Sequence, residues 1–183
     1  MKKVSIYIIL TLCLFSQNSF AKYKRSFFAG WTDEDRDCQN TRQEILIARS
    51  LVDVKFRKSR KSKKKKNCTV DTGRWNDYYY NEILLKASQI DIDHVVPLKH
   101  AYDTGAKSWP RSKRKQFSND LENLVITNKR YNRQKGAKTP LKWLPLNKAY
   151  ACKYFKQWFS VKKKYQLRIS KEESQQFNQM QCP

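Results

Sequence analysis

Ser88-Gln-Ile-Asp-Ile-Asp-His-Val-Val-Pro-Leu98, followed later by Asn123-Leu-Val-Ile-Thr-Asn-Lys-Arg-Tyr-Asn-Arg-Gln-Lys-Gly136, decides how this chain is read. The first stretch reads as a short strand that runs out at Pro97, a residue unable to donate to a ladder. Asp93 and His94 stand side by side at its end. The second stretch reads as another short strand passing into a helix. There Asn128, Asn132 and Lys135 fall at spacings that share one face, and Gly136 is a natural stop. Adjacent side chains of a regular strand diverge, so Asp93 and His94 meet at one site only if the strand bends there.

Residue chemistry gives this pairing a purpose. Phosphodiester hydrolysis needs a cation on the phosphate, a base for the water and help for the leaving oxygen. Asp93 offers an anionic oxygen and Asn132 a neutral amide oxygen, a donor pair that suits Mg²⁺ or Mn²⁺ better than Zn²⁺. His94 is the natural general base, since an unperturbed imidazole titrates near ~6.5. Lys135 and Arg133 are the expected phosphate-binding cations on the helix. Asp91 shares the strand face of Asp93 and is a further candidate ligand, whereas His100 reads as a surface residue.

The rest of the chain agrees with an exported, polyanion-binding protein. Residues 1–21 carry Lys2 and Lys3, an apolar run from Val4 to Phe15, and Ser19-Phe20-Ala21 as a cleavage site, the pattern of a secretory signal. The run is too short to span a bilayer comfortably. Residues 22–183 are then expected to form one domain, beginning with a packed aromatic arm over residues 22–36. Loss of Lys2 and Lys3 with the signal lowers the formal charge from +23 to +21, an excess that calls for an anionic partner, nucleic acid above all. Charge alone leaves open a non-catalytic cationic protein that binds nucleic acid or other polyanions. The run Lys55–Lys66, including Lys63, Lys64, Lys65 and Lys66, adds a salt-dependent phosphate-binding segment on either reading.

Four cysteines outlast the signal, Cys38, Cys68, Cys152 and Cys182, and permit three pairings. Two sequential loops are the simplest, each closing roughly 30 residues. With His94 and His100 the only histidines and no Cys-x-x-Cys pair, a zinc site is a poor alternative. Elsewhere, helices are expected over Thr41–Leu51 behind a Thr41–Glu44 capping box, over Arg111–Asn119, over Lys148–Tyr165 with an aromatic stripe, and after Ser170–Glu173, a second capping box. Strands are expected at Val52–Phe56 and within Val70–Leu85, with a turn at Gly73. Trp75 and the Tyr78–Tyr80 run read as packing residues ahead of base-stacking ones.

Taken in order, Asp-His-Val-Val-Pro-Leu, Asn-Leu-Val-Ile-Thr and Asn-x-x-Lys-Gly resemble the HNH, or ββα-metal, endonuclease motif. Gly30-Trp31, the run Asp35–Arg42, Gly105–Trp109, Asn119-Asp120, Trp143-Leu-Pro145 and Tyr150-Ala-Cys152 extend the likeness. They are similar to secreted bacterial HNH proteins related to the C-terminal domain of GmrSD-type restriction enzymes. The resemblance implies an α+β fold with a ββα-metal core, additional helices, a small antiparallel sheet and disulfide staples paired Cys38–Cys68 and Cys152–Cys182. It implies His94 as base, Asn123 as the residue holding the histidine loop, Asp93 and Asn132 as metal ligands, and DNA as substrate, with 5′-phosphate and 3′-hydroxyl products. Asn132 stands where many relatives have histidine, which shifts the metal preference towards Mg²⁺. Nothing in the residues chooses between DNA and RNA, and a monomer is expected.

Overall fold

The computed structural model describes residues 22–58 and 67–180. The proposed signal at residues 1–21, Lys63–Lys66 and Cys182 lie outside the described residues. The chain is mixed α and β, with helices α1 (Thr41–Ala48), α2 (Leu98–Thr104), α3 (Arg111–Asn119), α4 (Lys129–Lys135), α5 (Lys148–Lys164) and α6 (Lys171–Gln179). Its strands are β1 (Lys55–Phe56), β2 (Val70–Asp77), β3 (Glu82–Lys86), β4 (Ile90–His94) and β5 (Leu124–Asn128). They form a three-stranded antiparallel sheet, β1-β2-β3, and a separate antiparallel ribbon, β4-β5. Among the described residues no helix is long and apolar enough to cross a membrane.

Local signals explain most boundaries. Ser170 and Glu173 form the expected capping box at the start of α6. At α1 the cap sits one residue earlier than expected: the Asn40 side chain accepts from Gln43 N, while Thr41 bonds the carbonyl of Thr32. Gly73 is not a turn but lies inside β2, where an added Cβ would stand 2.6 Å from the Trp75 ring. The β2–β3 reversal instead uses Asn81 at φ 60°.

Two apolar clusters flank the ribbon. One holds Ile45, Leu46, Trp75, Ile90, Ile92, Leu124 and Ile126. The other gathers Tyr79, Val125, Phe117 and the expected stripe of α5, with Tyr154 and Trp158 fully buried. The ribbon is thus covered on both sides, and α4 leaves β5 directly to cross it.

Candidate active site

β4 and β5 pair in regular register through five residues, from Ile90↔Asn128 to His94↔Leu124. Alternation then puts Asp91 and Asp93 on one face with Thr127 and Val125, and His94 on the other with Ile92 and Leu124. The expected bend is absent. Asp93 and His94 diverge, Asp93 towards Tyr79 and Lys135 and His94 towards Trp31 and Ser118.

Asp93 enters a buried cluster. Its Oδ2 lies 2.8 Å from Lys135 Nζ and accepts from the Tyr79 hydroxyl. Lys135 is fully buried, and its Nζ also donates to the His94 carbonyl oxygen at 2.8 Å. Burial pushes the Asp93 carboxyl up and pulls the Lys135 ammonium down, and each charge partly offsets the other's shift. Lys135, expected as a phosphate-binding cation, has no exposed surface, and the Asp93 oxygen facing α4 is already engaged. What Lys135 does is tie α4 to the end of β4.

Asn132 meets the other acid. Its Nδ2 donates to Asp91 Oδ2 at 2.9 Å, and both residues are half-buried. Arg42 lies alongside, donating from Nη2 to the carbonyls of Ala87 at 3.0 Å and Ile90 at 3.2 Å. Burial lowers the Arg42 pKa, and the Asp91 charge opposes that shift. Asp91 and Asn132 each carry an oxygen of the hard type that Mg²⁺ or Mn²⁺ takes, and the contact between them runs through the amide nitrogen.

His94 is buried and held from several directions. Its Nε2 lies 2.9 Å from the carbonyl oxygen of Ser118, at the end of α3, and must donate to it. That leaves Nδ1 as the acceptor, with no partner among the described residues. The Trp31 indole stacks parallel to the imidazole, centroids 5.5 Å apart and planes 1° apart. Burial drives the His94 pKa down to about 3, the Ser118 bond opposing and the Arg25 and Lys135 charges assisting, so the ring is neutral. Asn123 secures the turn after it: Oδ1 accepts from Val96 N at 2.8 Å, Nδ2 donates to Val96 O at 3.3 Å, and its own carbonyl accepts from Val95 N at 2.8 Å. His94 lines a cleft of about 290 Å³ together with Arg25, Trp31 and Ser118.

Other expected residues lie apart from this cleft. Arg133 is exposed on α4. Cys38 and Cys68 form the expected disulfide, and Cys152 is disulfide-bonded. His100 is not a surface residue: its side chain is 13% exposed, and its Nε2 lies 3.0 Å from buried Lys162 Nζ. Trp75 and Tyr79 are core, as expected. Asp33, Asp35 and Asp37 bring carboxylate oxygens within 4.8 Å of one another on the loop before α1. Tyr79 and Ser118 join the site with no local motif to announce them, while Trp31 enters it from the Gly30-Trp31 segment of the family likeness.

Residues 42–180 match the family model described as GmrSD restriction endonucleases, C-terminal domain. An uncharacterized secreted protein of Arthroderma benhamiae is 34% identical over 160 residues, covering 86% of this chain and 74% of its own. That relative is fungal, so the expected restriction to bacteria has no support. No solved structure matches.

Proposed function

Because the chain belongs to the family of GmrSD restriction endonuclease C-terminal domains, we propose that it is a metal-dependent endonuclease that hydrolyses DNA on a ββα-metal core built from β4, β5 and α4. The observation that carries this reading is the neutral imidazole of His94, oriented by the Ser118 carbonyl so that Nδ1 keeps its lone pair. Nδ1 takes the proton from the attacking water as the phosphorus–oxygen bond forms. Burial makes the free imidazole a weak base, and an incoming phosphodiester anion offsets that by favouring the imidazolium. Asn123 holds the turn, Trp31 holds the ring plane, and Lys135 fixes the strand end through the His94 carbonyl. When bound through Asp91 and Asn132, Mg²⁺ or Mn²⁺ supplies positive charge against the phosphate and the leaving 3′ oxygen. Residues 1–21 are a cleavable export signal on this reading, and residues 22–183 are a single monomeric domain that acts outside the cytoplasm. The secreted relative supports that placement.

The net charge of +23 favours a second reading, a cationic protein that binds nucleic acid without cutting it. Plasmid incubated with the protein and Mg²⁺, with and without chelator, separates the two. Nicking that the chelator stops, giving ends that ligase rejoins, supports the endonuclease. Plasmid that is retarded but intact under both conditions leaves only the binding protein.

A further inference from the structure

The N-terminal arm forms one side of the His94 cleft. Phe28 is buried against Phe117 of α3, with centroids 5.8 Å apart. Phe27 packs edge-on against Tyr102 of α2 at 5.0 Å and carries the Arg114 guanidinium 3.9 Å above its ring. These two anchors fix the single 3₁₀ turn Arg25–Phe27. The turn presents Arg25, itself exposed, to the cleft that His94 and Trp31 line.

Arg25 stands out within that cleft. Every other lining residue is uncharged, His94 included. Its guanidinium has no hydrogen bond or ion pair with any described residue, although Lys99, Lys115 and Lys164 all find carboxylates. An arginine held by its neighbours' packing, beside a neutral base, at the mouth of an otherwise uncharged cleft, has the chemistry to receive an anion. The planar fork of five donors matches two oxygens of a phosphate, where an ammonium offers only a point charge.

We propose that Arg25 is the phosphate-binding residue of the cleft, seating the phosphodiester beside His94, so that the arm preceding residue 42 completes the active site. The inference rests on the nuclease reading and deepens it. Arg25 reads one phosphate of the backbone and carries no base specificity.

The experiment uses the full chain and two readouts. Removing a single phosphate donor lowers kcat/KM for cleavage of a DNA duplex on the order of 10²-fold in Arg25→Gln, with an unchanged melting temperature, and Arg25→Lys recovers part of the loss. In the cleavage-dead background His94→Ala, adding Arg25→Gln lowers the slope of log K against log salt for duplex binding by about 1. Wild-type cleavage rates in Arg25→Gln, or an unaltered slope, overturn the proposal while leaving the nuclease reading in place. A wild-type protein that does not cut at all ends both.

Discussion

Lys135 Nζ lies 2.8 Å from Asp93 Oδ2, and neither side chain is open to water to any useful degree (0% and 7% exposed). Desolvating two charges is tolerable only while they face each other, so deleting one leaves the other stranded. Lys135→Met is expected to cost about 3–5 kcal/mol. Adding Asp93→Asn should recover part of that loss, because the neutral amide still accepts from Tyr79. Denaturant unfolding of both variants measures this. A Lys135→Met protein of wild-type stability but weakened DNA retention would restore the phosphate-clamp role.

His94→Ala is expected to lower cleavage by about 10²–10⁴-fold, the usual worth of a positioned general base. Because burial holds the imidazole near a pKa of about 3, the ring stays neutral as pH falls through ~6.5. The free protein should therefore show no His94 titration in that range. Proton NMR follows this directly, since the sequence holds only 2 histidines. A His94 resonance titrating near 6.5 contradicts the buried, Ser118-bonded ring.

Much of the frame was legible in the chain. Capping residues Ser170 and Glu173, the stripe from Tyr150 to Phe159 and Gly136 at φ 54° act through neighbours three or four positions away, and such signals survive in a bare sequence. Asn123 was legible only through its resemblance to a family motif. What stayed hidden depends on distant partners. Nothing local says that Asp93 will meet Lys135 while Asp91 meets Asn132, since both acids share a strand face and both α4 residues share a helix face. Tyr79 is fully buried, while its neighbours Tyr78 and Tyr80 are half-buried, a difference fixed by α5 and Trp143 rather than by the run itself.

The Asp91–Asn132 contact makes a separable prediction about metal. Mg²⁺ should raise the melting temperature of the wild type, because a ligand that binds only the folded state stabilises it. Asp91→Asn and Asn132→Ala should remove that rise and the cleavage together. Asp93→Asn, by contrast, should lower the melting temperature while still answering to Mg²⁺. If Asp93→Asn alone abolishes the response, the ligand is Asp93 after all.

The Cys38–Cys68 disulfide closes a separation of 30 residues around the lysine-rich segment. Constraining the unfolded chain over such a loop is worth about 3 kcal/mol. Cys38→Ser/Cys68→Ser should therefore melt roughly 6–12 °C lower at this chain length. DNA binding by the folded double variant should change little. Calorimetry and a salt titration of duplex binding measure the two effects separately.

His100 should make the fold sensitive to acid. It is enclosed by Lys162 from α5, Glu173 from α6 and Asp103 on its own helix, with Trp158 against its ring at 4.9 Å. Burial first, and then the Lys162 charge, press its pKa down to about 4. In the unfolded chain the same imidazole protonates near ~6.5, so between those values the unfolded state binds more protons. The stability tied to a neutral His100 is thus whole above ~6.5 and is lost as pH falls towards about 4. Replacing it with Gln removes the titrating group, and the glutamine Oε1 can still accept from Lys162. Urea midpoints measured from pH 7 to pH 4 should fall less steeply in His100→Gln than in the wild type. Parallel curves would mean that the ring is already charged at neutral pH, paired with Glu173 instead of accepting from Lys162.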